Sequence, residues 1–91
     1  MVMIVLTMDV IWQPKAFKQL KKIGERNIQG RILTASRGLS KFPACSNVKR
    51  LANHERAYRL RVGNWRILFD VFEEISIISI EEVKKRDENT Y

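Results

Sequence analysis

Three arginines alternate with apolar residues around a two-residue turn in the segment YRLRVGNWRILFDV. They are Arg59, Arg61 and Arg66. Gly63-Asn64, with glycine first, is the signal of a type II′ hairpin turn. A two-residue loop there pairs Val62 with Trp65, Arg61 with Arg66, Leu60 with Ile67 and Arg59 with Leu68. Arg61 and Arg66 become direct cross-strand neighbours, with Cβ atoms about 4.5–5.5 Å apart, and Arg59 shares their face. Like charges placed opposite one another destabilise a sheet, so folding alone gives no reason to gather them. An anion among them does, because guanidinium forks bind phosphate oxygens through two parallel hydrogen bonds. A ribose-phosphate backbone is the natural candidate. The plainer alternative is a surface salt bridge: a tight turn at Glu73-Glu74 would set Phe72 opposite Ile75 and Arg66 opposite Glu81. One carboxylate does not balance three guanidinium groups.

Further charge surrounds this hairpin. Lys41, Lys49 and Arg50 precede it, and Lys84, Lys85 and Arg86 open a tail, KKRDENTY, that ends in Tyr91. Taken singly, each reads as a solvated surface charge. Following a strand of the same sheet, the tail can return over the arginine face. In all, 17 Lys and Arg oppose 10 Asp and Glu, a net charge of +7, which suits a polyanionic partner. Cys45 and His54 are the single cysteine and the single histidine. That excludes an intramolecular disulfide, a cysteine zinc site and a histidine cluster, so no metal and no cofactor are expected. Both are better read as unreactive loop residues.

The elements that must position these groups follow from periodicity. At 91 residues the chain forms one domain over 1–91. Its opening, MVMIVLTM, is too short to cross a bilayer and lacks the basic flank of a secretory signal, so a cytoplasmic protein without a membrane partner is expected. β-branched and aromatic residues up to Trp12 indicate a strand. Pro14 suits the first turn of a helix, and Phe17, Leu20 and Ile23 form a helical stripe over Lys15 to Ile23 that Gly24 ends. A second helix over Glu25 to Leu39 carries Ile28, Ile32, Ala35 and Leu39, with Gly30 costing about 1 kcal/mol relative to alanine. Residues 40–53, broken by Pro43, Asn47 and Asn53, read as a connecting loop. After His54 the period becomes two. Tyr58, Leu60, Val62, Trp65, Ile67, Phe69 and Val71 give one apolar face for the helices to cover. Ile75 to Ile80 supplies a third strand. The three form an antiparallel meander joined at one edge by the N-terminal strand.

This arrangement resembles the RelE/ParE superfamily of small bacterial toxins, through VIWQPKAFKQLKKI, YRLRVGNWRILFDV, ISIISI and KKRDENTY. The resemblance implies an α+β fold: an N-terminal strand and a helical hairpin packed on one face of a curved, mainly antiparallel, four-stranded sheet. It implies a toxin of a type II toxin-antitoxin system, in the RelE-like branch of ribosome-dependent mRNA endoribonucleases. The catalytic set carried over is Arg59, Arg61, Arg66, Arg86 (or Lys85, if the tail aligns one residue earlier) and Tyr91. Lys49, Arg50, Lys84 and Lys85 are the accompanying RNA-binding candidates. The implied reaction is metal-independent attack of a 2′-OH on the adjacent phosphate, and the implied partners are a cognate antitoxin, the ribosome and mRNA. Two other readings stay open: a ParE-like poison of DNA gyrase, and a non-catalytic ribosome- or RNA-binding module. The last would be expected to expose stacking aromatics, and of the sheet's aromatics only Phe72 falls on the arginine face.

Overall fold

In the computed structural model, which describes residues 7–86, the elements run in this order: β1 (Asp9–Trp12), α1 (Pro14–Lys22), α2 (Arg26–Arg37), a 3-10 turn (Gly38–Lys41), β2 (Val48–Arg50), β3 (Tyr58–Val62), β4 (Trp65–Phe72), a second 3-10 turn (Glu73–Ile75) and β5 (Ile77–Lys85). The strands form one sheet in the order β1-β5-β4-β3-β2. Every pairing is antiparallel except that of β1 with β5, which is parallel. The N-terminal strand therefore lies at an edge, as expected. The sheet has five strands rather than four. The extra one, β2, falls inside the segment expected to be a loop. Its three residues carry no periodic signal, and its place is set by backbone pairing of Val48, Lys49 and Arg50 with Leu60, Arg59 and Tyr58.

The helices cover the apolar face. Pro14 opens α1, and Lys21 and Lys22 lie in its last turn, where they complement the helix dipole. Gly24, at φ +73°, lets the chain reverse into α2. The buried stripe of α1 is Ala16 and Leu20, one turn apart. Phe17, expected inward, is 44% exposed instead, with the Lys21 ammonium 4.9 Å from its ring centroid. A small residue at position 16 brings the helix close to the sheet and rotates its neighbour outward. Gln19 then accepts a 2.7 Å hydrogen bond from the Val83 N–H, pinning α1 to β5. In α2, Ile32 and Ser36 are buried, and the helix ends at Arg37, with Leu39 reaching the core from the 3-10 turn.

Across the sheet, Leu60, Val62, Ile67, Phe69, Ile78, Ile80 and Val83 meet these helical residues in a single core. Tyr58 stacks on Phe69 at 5.5 Å, and Phe42 closes against both rings edge-on. Burying a side chain such as Phe69 contributes about 1.5–3 kcal/mol. Among the described residues no helix is long and apolar enough to cross a membrane.

The β3–β4 register matches expectation at every position, Arg61 facing Arg66 and Arg59 facing Leu68. The β4–β5 register does not. Phe72 faces Ile77, because Glu73–Ile75 makes a 3-10 turn and Ser76 enters the left-handed region at φ 54°. The third strand accordingly runs from Ile77 to Lys85 and absorbs the start of the expected tail. An irregularity between Leu68 and Phe69 shifts the pairing again, so that Arg66 faces Lys84 rather than Glu81.

Candidate functional site

The face of the sheet opposite the core divides by charge. Toward the β4–β5 turn, its acids are engaged. Asp70 accepts hydrogen bonds from the Ala57 N–H at 2.8 Å and from the Arg56 guanidinium at 3.2 Å. The same guanidinium lies 3.6 Å from Glu81. Glu81 in turn accepts from the Ser79 hydroxyl, which accepts from Gln13. Glu82, with its side chain only 10% exposed, is held by Lys15 at 2.8 Å and approached by Lys84 at 3.9 Å. The Lys15 hydrogen bond keeps the Glu82 carboxyl below the usual carboxylate range, against the opposing effect of burial. Glu81 thus lies against Arg56 rather than opposite Arg66.

Toward the Gly63-Asn64 turn the same face is cationic. Lys49, Arg50, Arg59, Arg61, Arg66 and Arg86 line one pocket of about 270 Å³. Sheet pairing, a turn and a strand end bring them there. Sheet pairing aligns Lys49 with Arg59, and Arg61 with Arg66 and Lys84. Gly63, at φ +57°, supplies the backbone conformation that permits the tight turn and hence the register. Arg86 is brought in where its N–H donates to the Asn64 carbonyl, tying the end of β5 to that turn. Leu51 and Ala52 complete a wall of the pocket. The loop they begin is anchored by the Asp70 contact to Ala57 and by the Leu51 N–H donating to the Ala57 carbonyl.

The predicted residues therefore divide. Arg59, Arg61, Arg66, Arg86, Lys49 and Arg50 come together in the pocket. Lys84 shares the row of Arg66 but leans toward Glu82. Lys85 stands opposite Trp65 and does not line the pocket, so of the two tail positions considered it is Arg86 that the geometry brings to the cluster. Tyr91 lies outside the described residues. His54 accepts a hydrogen bond from the Arg56 N–H at Nδ1 and does not line the pocket. Burial raises the Cys45 thiol above its ordinary pKa, away from a reactive thiolate. Arg56 and Asp70, which brace the loop, were not singled out in the sequence. The available signal was Asp70, an acid within an otherwise apolar and basic strand. Among the described residues no group of three or more His, Cys, Asp or Glu is placed to hold a metal.

Chemically, a pocket so lined is suited to holding an anionic phosphate and ill suited to transferring protons. Guanidinium and ammonium groups are fixed cations near neutral pH, suited to stabilising charge that develops in a transition state.

Comparison with solved structures gives the same architecture. The toxin-antitoxin complex RelBE2 of Mycobacterium tuberculosis aligns at 25% identity and a TM-score of 0.74, covering 88% of this chain and 99% of that one. The archaeal RelE-RelB complex of Pyrococcus horikoshii aligns at 22% identity and 0.72, covering 90% and 98%. The isolated RelE toxin of E. coli aligns at 13% identity and 0.74, covering 91% and 88%, a likeness of fold. No curated protein matches in sequence. A family profile matches residues 10–90, nearly the whole 91-residue chain: that of the ParE toxin of type II toxin-antitoxin systems. With its fold shared by the RelE toxins and residues 10–90 of its sequence matched by that profile, the chain belongs to this toxin family within the RelE/ParE superfamily.

Proposed function

We propose that this toxin is an mRNA endoribonuclease that acts at the ribosome, with the cationic pocket as its active site. One observation carries the reading: six Lys and Arg residues from β2, β3, β4 and the end of β5 line a single pocket. In the proposed reaction a 2′-oxygen attacks the adjacent phosphorus. The 2′-O–P bond forms, the P–O5′ bond breaks, and a 2′,3′-cyclic phosphate and a 5′-hydroxyl result. Arg59, Arg61 and Arg66 hold the non-bridging oxygens and stabilise the pentavalent intermediate, and Arg86 closes on it from the strand end. The 2′ proton leaves to a base and the 5′-oxygen receives one. Tyr91 is the proposed base, since a phenol brought among guanidinium groups would be acidified. With no stronger base among the described pocket residues, most of the acceleration must come from holding the RNA in line, worth up to about 7–11 kcal/mol. A ribosome that fixes the mRNA path supplies that alignment.

The cognate antitoxin is the expected protein partner, as in the two RelE-type complexes above. The +7 charge favours rapid capture by an acidic one. A second reading, poisoning of DNA gyrase, is favoured by the ParE designation of the matching profile. Induced expression of wild type and Arg66→Ala, read by growth and by primer extension on cellular mRNA, separates the two. Growth arrest with cleaved mRNA in the wild type alone supports the nuclease. DNA damage with intact mRNA supports the gyrase poison.

A further inference from the structure

The cationic pocket is not the end of the basic surface. A second, more open groove of about 590 Å³ lies between α2 and the β3 side of the sheet, lined by Arg26, Gly30, Arg31, Thr34, Asn47 and Arg61 among others. Arg61 belongs to both cavities. Between them stands the β3–β4 turn, and Arg31 lies against it: its guanidinium is 3.8 Å from where a Cβ on Gly63 would be. The two cavities thus meet at Arg61, with Arg59 and Arg66 on one side of it and Arg31 and Arg26 on the other. Arg26 and Arg31 are about 7.5 Å apart along the helix axis, at 1.5 Å per residue.

Gly30 is the second, independent observation. It sits in the interior of α2, where glycine is poorly suited to a helix. A Cβ there would meet nothing within 4 Å, so packing does not require its absence. Nor does Gly30 have the positive φ of Gly24 or Gly63. A bare stretch of helix backbone in the lining of a groove that also holds Arg26 and Arg31 admits another chain at close approach. Thr34 and Asn47 add neutral hydrogen-bonding groups at its margins.

We infer that this groove is a second binding site, one that carries the backbone of single-stranded RNA away from the cationic pocket. The strand leaves the pocket at Arg61, crosses the Gly63 turn beneath Arg31 and lies along α2 over Gly30. The inference rests on the nuclease reading above and adds to it a defined exit path for the nucleic acid.

The test uses the purified chain and 2′-O-methyl oligouridylates, which bind but cannot be cut by 2′-oxygen attack. Affinity is measured by fluorescence anisotropy for short oligomers of about four nucleotides and longer ones of about ten, across a salt series. Wild type should bind the longer RNA more tightly, and Arg26→Ala/Arg31→Ala should lose that gain, about tenfold, while binding the short RNA as before. Losing two phosphate contacts should also reduce the salt slope on the longer RNA by about 1.4. Gly30→Met, in a helix-favouring direction, should keep or raise the thermal midpoint yet lose the length gain. An unchanged length gain in these variants overturns the inference and leaves the nuclease reading intact, as does a loss of antitoxin binding in place of RNA binding. A wild type that binds the longer RNA no more tightly than the short one also overturns the inference, while the nuclease reading stands or falls on the primer-extension result above.

Discussion

Replacing Arg61 with glutamine should make the fold more stable. Arg61 is exposed and stands opposite Arg66, which has Lys84 on its other side in the same row. Two unit charges roughly 6 Å apart repel by about 0.7 kcal/mol at the dielectric constant of water and by about 2.8 kcal/mol at an effective value of 20. Guanidinium ends that splay into solvent feel the weaker limit. The scale known for cross-strand pairs, about 0.2–1 kcal/mol, is the better guide. Arg59 on the same strand adds a smaller, more screened contribution. A gain of about 0.5–1 kcal/mol corresponds to roughly 2–8 °C in Tm for a domain of this size. Thermal unfolding in about 0.01 M salt measures it. In about 1 M salt the Debye length falls to about 3 Å, and the two midpoints should converge. The same variant should lose RNA cleavage, a trade of function for stability expected where a site is assembled against the preference of the fold. A lower midpoint for Arg61→Gln in dilute salt, or a difference that salt leaves unchanged, would refute the claim that the cluster costs stability.

Three further outcomes follow from the contacts described above. Asp70→Ala removes the acceptor for the Ala57 N–H and the Arg56 guanidinium and should cost about 1–3 kcal/mol in urea unfolding, with a loss of RNA affinity as the loop beginning at Leu51 loosens. Glu82 titrates below its ordinary range when folded, so its contribution is present above the unfolded value of about 4.3 and is lost as pH falls through the folded value. Urea unfolding from pH 7 to pH 3 should therefore decline more steeply for wild type than for Glu82→Gln, and parallel curves would contradict this. Gly63→Ala places a side chain at φ +57° and should destabilise by about 1 kcal/mol, measured by the same method.

Much of the site was legible in the sequence because two local rules agreed. The Gly63-Asn64 turn fixed the register, and strict alternation fixed the faces, so the Arg61–Arg66 pairing and the apolar surface under the helices both appeared as expected. Where only one rule was available, reading failed. Glu73-Glu74 looks like a tight turn, but the chain continues through Ile75 and Ser76 before reversing, and the irregularity at Leu68 moves the partners once more. A bulge leaves little local trace, since it depends on what the neighbouring strand and helix offer. Phe17 was misplaced because a helical period does not say which of two adjacent apolar residues takes the closest approach; Ala16 does. β2 and the acid network around Arg56 depend on partners distant in sequence, so local periodicity does not reveal them.

The position of β5 has a consequence for when the molecule becomes dangerous. This strand lies between β1 and β4, pairing with a segment almost the whole described chain away, and it brings Ile78, Ile80 and Val83 to the core. A chain still being synthesised, and not yet past Ile77, has β1 without its pairing partner and a core lacking those three side chains. Its sequence-distant contacts also set folding at the slower end for a small domain. Lys84 and Arg86 arrive later still, with the strand end that closes on the Asn64 turn. Within residues 7–86 the cationic pocket is therefore among the last features to be completed. The topology sets an interval between synthesis of the arginine hairpin and completion of the proposed phosphate site, in which an antitoxin already present can be waiting.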